Sequence, residues 1–410
     1  MRLRAREAQN FLLSSYAFSL NIENWDPFST GGLFSISKLM GIFYLGSIAL
    51  SPAIYLAFST RLIPYLWPKI ALIILITIMS ALNINYYSSK ILDFSIILNF
   101  FIFIAIINHA IIDRKAINNA FLYFAVGSIF VSFLIFFDVG VTFNQEGRLV
   151  FFDAGINELA LKLLCGLFII FSFFFSKEKK YKNISLLLLW LSPLIVIAII
   201  SSGSRTALLL IFATAIYLFL INLFKSERKI LAFMTGSILI ALLSYGSYIL
   251  FVIYQDTSVV IERLVSTGGA RDFGEGGRFA LWSVFFTSIL EGDNKLMGYG
   301  MSGYELISFQ KIGAIESPHN VFLEILLYSG IMGLALYLLF LYRVFKAALG
   351  IYINTKNNLA VMLFPFAFIF IFVLQGLSEK LCWIIFAYII SNKVLLINSI
   401  HTNEKNSYSN

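Results

Sequence analysis

Long apolar stretches separated by short polar segments run through nearly the whole chain. Crossing a hydrocarbon core about 30 Å thick takes about 20 helical residues. Stretches of that kind predict helices at 9–22, 35–58, 69–84, 91–112, 117–137, 157–176, 183–201, 205–224, 230–254, 320–342, 358–375 and 380–398. The first is the weakest, because Phe11 to Leu20 carries Ser14, Ser15 and Ser19. The stretch Asn21 to Trp25 after it reads as an interfacial exit, and no small-residue cleavage site follows. The pattern predicts an all-α integral membrane protein of about twelve transmembrane helices, forming a single polytopic domain over residues 1–410, and no internal repeat is visible.

Composition agrees. Residues of the AVILMFWYC set make up 59% of the chain and DEKR 13%, against about 45–50% apolar and about 25% charged in soluble domains. A soluble globular protein is excluded, as are disordered, collagenous and coiled-coil chains. The net charge of +8 would suggest a nucleic-acid partner in a soluble domain, but in a polytopic protein basic loops report orientation. They concentrate on alternate segments: Arg2, Arg4 and Arg6; Arg61 and Lys69; Arg114 and Lys115; Lys177, Lys179, Lys180 and Lys182; Lys225, Arg228 and Lys229; Arg343, Lys346 and Lys356; Lys393 and Lys405. Both termini, with the polar tail 399–410, are therefore expected in the cytoplasm. Cys165 and Cys382 lie in apolar runs and define neither a disulfide framework nor a metal motif.

One large extramembrane segment, 255–318, falls on the outer side between the ninth and tenth helices. It is too short for an independent catalytic domain, so any chemistry is shared with the membrane helices. Within it, RFALWSVFFTSIL (278–290) reads as an amphipathic interfacial helix. The glycine-rich approach 268–277 lacks the Gly-Lys-Ser/Thr ending of a P-loop.

Three positions stand out chemically. Arg205 lies in SSGSRT, a tight polar turn at a helix start; a lipid-snorkelling arginine fits it, yet a guanidinium beside helix N-terminal amides and small hydroxyls also suits a phosphate. Arg278 opens the amphipathic helix, where it either anchors lipid phosphate or binds an anionic substrate, and spacing alone does not separate it from Arg263 and Arg271. His319, in ESPHNVFLE, sits where the long loop re-enters the membrane. At a helix N-terminus the imidazole is disfavoured as a cation and is able to accept a proton. His109 and His401 read as passive. Glu158 and Lys162 form an i,i+4 pair of structural character. Asn320 and Glu324, with Arg271, are further candidates for substrate contact. The scattered histidines and the lack of a DxD pattern predict neither a metal site nor a cofactor.

SSGSRTALLL (201–210), GRFALW (277–282), LMGYGMSGY (296–304), read as a turn, and SPHNVFLEILLYSGIMG (317–333) together resemble the successive signatures of the O-antigen ligase/polymerase superfamily of bacterial envelope proteins. The resemblance implies a GT-C-type membrane glycosyltransferase in the bacterial inner membrane, with its active site on the periplasmic face. It implies that Arg205 and Arg278 bind the pyrophosphate of an undecaprenyl-pyrophosphate-linked oligosaccharide and that His319 assists the acceptor. Expected partners are that donor, membrane lipids, and a chain-length regulator and flippase of the same pathway, with no nucleic acid. Of the two activities, repeat-unit polymerase is preferred to ligation onto lipid A–core, from the SPHNVFLE form and the Ile, Phe and Asn usage. A lipid-linked oligosaccharide flippase is disfavoured, because the polar residues gather at one face and not at the midplane.

Overall fold

A computed structural model of the chain describes residues 2–30, 34–143, 149–152, 154–175, 179–204, 278–355, 358–373, 377 and 379–407, with isolated positions between 207 and 241. Its helices are α1 (Arg2–Ser19), α2 (Ile36–Ile48), α3 (Pro52–Tyr55), α4 (Ile63–Leu82), α5 (Phe94–Ile112), α6 (Arg114–Phe136), α7 (Ile156–Phe174), α8 (Lys179–Ser202), α9 (Arg278–Glu291), α10 (Gly300–Ile312), α11 (Val321–Thr355), α12 (Leu359–Val373) and α13 (Lys380–Ser407). Among the described residues, seven helices are long and apolar enough to cross a membrane: α4, α5, α6, α7, α8, α11 and α13 over Lys380–Ser399. The helices expected at 205–224 and 230–254 lie outside the described residues, isolated positions apart.

Several boundaries differ from the pattern in the sequence, each for a local reason. The expected helix 35–58 is divided by Ser51-Pro52, leaving α2 with 13 residues and α3 with 4. The helix expected from 9 begins at Arg2, so its first turns carry Arg4, Arg6 and Glu7 and it is not among the seven apolar spans. The helix expected from 69 begins at Ile63 with Pro64 in its first turn, where a missing N–H costs nothing. Lys69 is thus inside a helix and not in a loop. It is buried, with its ammonium 4.2 Å from the Trp383 ring centroid, 4.7 Å from Phe340 and 4.9 Å from Tyr337, an aromatic box joining α4, α11 and α13. The C-terminal helix continues through the polar tail to Ser407. A two-stranded hairpin, β1 (Val141–Phe143) and β2 (Leu149–Phe151), had no sequence signal.

At one end of the bundle, Asp113 both terminates α5 and caps α6, accepting a hydrogen bond from Lys115 N at 3.0 Å. The same carboxylate pairs with Arg6 (3.7 Å) and accepts from Asn10 Nδ2 (3.1 Å). His109 is buried here between Tyr44 Oη (3.0 Å) and Asn10 Oδ1 (2.7 Å).

Candidate functional site

At the other end, α11 begins under a strap formed by residues 313–320. Asn320 caps α11, its Oδ1 accepting from Phe322 N (3.0 Å) and Leu323 N (3.2 Å). The preceding residue, His319, has φ +48, in the left-handed region, and its N–H donates to Ser317 Oγ at 3.2 Å. A side chain held in that region costs about 1–3 kcal/mol and persists only where its surroundings fix it. Those surroundings come from two helices. Trp282 of α9 donates its indole N–H to Pro318 O at 2.6 Å, and Tyr304 of α10 donates to Glu316 O. Ser308, also on α10, donates to Ala314 O (2.7 Å) and accepts from Glu316 N (2.8 Å). Burial pushes the Tyr304 hydroxyl up, and the carboxylates of Glu324, Glu305 and Glu316 push it further, so it remains a donor.

Helix α9 is the amphipathic helix expected at 278–290, running Arg278–Glu291. Its first residue, Arg278, lies one turn before Trp282, so α9 brings the backbone of that arginine to the strap carrying His319. Helix α10 corrects the reading of LMGYGMSGY as a turn: only residues up to Tyr299 are irregular, and Gly300–Ile312 is helical. Glu324, one turn into α11, accepts from Tyr328 Oη (3.1 Å).

The glycine-rich segment 295–300 has a structural function. Helix α11 breaks at Gly330, with φ 62 and ψ −163, a conformation essentially restricted to glycine. The break frees amides and a carbonyl that need partners inside the membrane. The segment supplies them: Ile331 N donates to Lys295 O (3.0 Å), Met332 N to Leu296 O (3.0 Å), and Leu327 O accepts from Tyr299 N (2.7 Å). Docking is so close that a Cβ on Gly298 would lie 2.5 Å from Gly330 N.

The turn preceding Arg205 is described as far as Ser204. Gly203 adopts φ 67, and Ser204 Oγ accepts from Ala207 N at 3.4 Å, a helix cap as the SSGSRT pattern suggests. Ser204 Oγ also donates to Asn157 Oδ1 at 2.8 Å, seating the turn on the start of α7. Arg205, Arg263 and Arg271 lie outside the described residues.

The neighbour of Asn157 is Glu158, and here the sequence revealed only part of the arrangement. Lys162 does bind Glu158, at 2.5 Å, but it also binds Glu23 at 2.7 Å, and Glu23 pairs in turn with Lys380, which lies 3.2 Å from Ser37 Oγ. Glu379 completes the group, its carboxylate within 4.8 Å of those of Glu23 and Glu158. That spacing suits a divalent cation, but the buried Lys162 ammonium already pairs with two of the three carboxylates. Burial alone would raise the Glu23 carboxyl; Lys162 and Lys380 outweigh it and hold it at about 2. Burial pushes Glu379 up to about 8, with Lys162 opposing and the Glu23 and Glu158 charges adding to the rise. Near neutral pH Glu23 is therefore ionised while Glu379 keeps its proton.

Residues 187–338 match the protein family described as O-antigen ligase. The matched stretch contains all four signature segments and supports the O-antigen ligase/polymerase superfamily, whose members are membrane glycosyltransferase-like enzymes. No curated protein matches the chain.

Proposed function

With the O-antigen ligase/polymerase superfamily as premise, we propose that the protein is an O-antigen polymerase of the bacterial inner membrane. It moves the growing glycan from undecaprenyl pyrophosphate onto a carrier-linked repeat unit at the periplasmic face. The observation that carries this reading is the bond from Trp282 to Pro318, which joins the GRFALW and SPHN signatures into one structure and draws the helix opened by Arg278 to the strap bearing His319. The full fold in this reading has about twelve spans of GT-C type, with both termini cytoplasmic. A chain-length regulator and a flippase act beside it.

The chemistry follows from these groups. An acceptor hydroxyl oxygen attacks C1 of the donor sugar, the C1–oxygen bond to the diphosphate breaks, and polyprenyl diphosphate departs. His319 takes the hydroxyl proton. Arg205 and Arg278 balance the charge that develops on the leaving diphosphate without a metal ion, a task for fixed cationic donors. Because a diphosphate already leaves readily, positioning of the acceptor and charge balance carry most of the acceleration. Ligation onto lipid A–core is the second reading, favoured by the description of the matched family.

A lipopolysaccharide gel from a strain lacking the gene separates the two. Core bearing a single repeat unit is expected for a polymerase; bare core with long polymer retained on the carrier indicates a ligase instead. In complementation, Arg278→Ala and His319→Ala, present in the membrane at wild-type level, are each expected to reduce polymer by at least about 100-fold, the usual loss on removing a general acid–base or charge-stabilising group. Wild-type polymer length in either variant rejects the role given to that residue.

A further inference from the structure

We infer that Trp282 and Tyr304 are positioning residues that hold the His319 strap in its left-handed conformation; the inference rests on the reading of His319 as the group that takes the acceptor proton. The strap spans residues 313–320 between α10 and α11, and it has no secondary structure of its own to fix it. Its carbonyls are instead gripped from outside. Pro318 O, the acceptor immediately before His319, is held by the Trp282 indole at 2.6 Å. Glu316 O is held by the Tyr304 hydroxyl, and Ala314 O by Ser308 at 2.7 Å.

The two aromatic donors are themselves fixed. Tyr304 is buried, packed between the Phe285 ring (5.5 Å between centroids) and the Tyr328 ring (5.4 Å). Phe285 and Trp282 share α9, so one interlocked aromatic group sets both grips. Beyond His319 the chain is fixed by the Asn320 cap. His319 is therefore clamped on both sides while its φ stays at +48. Neither aromatic donor is needed for the helices to form, since α9 and α10 satisfy their own backbone groups. What the donors add is the direction in which residue 319 leaves the strap. A displacement of about 1 Å at a reacting group can cost about 100-fold in rate.

The test uses the purified full-length chain in lipid with the strain's own polyprenyl-diphosphate-linked repeat unit as donor and acceptor. Trp282→Phe keeps an aromatic ring and deletes the N–H; Tyr304→Phe deletes only the hydroxyl. Each is expected to lower kcat by about 10-fold or more, with the KM for donor within about twofold and the apparent Tm within about 2 °C of wild type, as for an interaction realised in the reacting geometry. Unchanged kcat in both variants overturns the inference. So does a fall in kcat that comes with a matching rise in donor KM or a lowered Tm, because that is the mark of a general structural role. His319→Ala run alongside keeps the premise separate: full activity there removes the reading of His319 itself, whereas an inactive His319→Ala beside normal Trp282→Phe and Tyr304→Phe removes only the positioning inference.

Discussion

Lys162→Met is expected to lower the apparent Tm of the detergent-solubilised protein sharply, whereas Glu379→Gln is expected to leave it nearly unchanged near pH 7. Lys162 is buried and bonded to both Glu158 and Glu23. Removing it leaves Glu158 without the cation it binds and Glu23 with Lys380 alone. Breaking a buried ion pair from one side costs about 3–5 kcal/mol, because the remaining charge stays desolvated. Glu379 behaves differently, since its carboxyl already retains a proton up to about pH 8, and glutamine is close to a neutral copy of it. A pH series gives a second measurement on the same pair. The folded protein holds the Glu379 proton up to about 8, while the unfolded chain releases it near the ordinary value of 4.5. The folded state thus binds more protons between those values, and this contribution to stability declines as pH rises through that window. Glu379→Gln flattens that part of the Tm-against-pH curve; an unchanged slope would falsify the assignment of the proton to Glu379.

Gly330→Ala is expected to abolish polymer formation and to reduce the yield of folded protein. A Cβ at 330 would sit 2.3 Å from Leu296 O and 2.6 Å from Gly298 N, both backbone atoms with no rotamer to relieve the clash. The strained φ costs about 1–3 kcal/mol, and overpacking adds about 1–3 kcal/mol. Relief requires the 295–300 segment to leave the break in α11, which exposes Ile331 N, Met332 N and Leu327 O unsatisfied. Gly313→Ala serves as the comparison: its φ is +82, but no atom lies within 4 Å of the added Cβ, so only the backbone term applies. Equal Tm and yield for the two variants would show that the docking of segment 295–300 is not what makes glycine necessary at 330.

The elements that the sequence made legible are those whose reasons are local. Helix α9 is read within one residue of its observed end, because its apolar face and its aromatic centre lie within fourteen consecutive positions. The cap at Asn320, the turn at Gly203 and the pairing of Glu158 with Lys162 are likewise short-range. Helix α10 was hidden because Gly300 and Gly303 are poor helix formers; they are required by neighbours, Gly300 by the backbone of Ser80 and Gly303 by Tyr299 and Asn83. Glu23 and Lys380 gave no signal, since they meet across 357 positions of chain. Trp282 read as a residue of an interfacial helix, and its bond to Pro318 spans 36 positions. His319 and Asn320 directly precede α11 and Glu324 lies in its first turn, as the motif suggests, whereas the contacts that shape the strap come from α9 and α10.

The polar lining of α1 carries a consequence for how the chain is made. Arg6 finds its partners Ile112 O and Asp113 more than a hundred residues downstream, Asn10 binds Asp113, and Asn21, just past the end of α1, donates to Phe124 O and accepts from Ser128 Oγ. During synthesis none of those groups exists when α1 leaves the ribosome, and a helix opening with arginines partitions poorly into lipid by itself. Its final seat must therefore be taken late, once α5 and α6 have emerged and provide a polar berth.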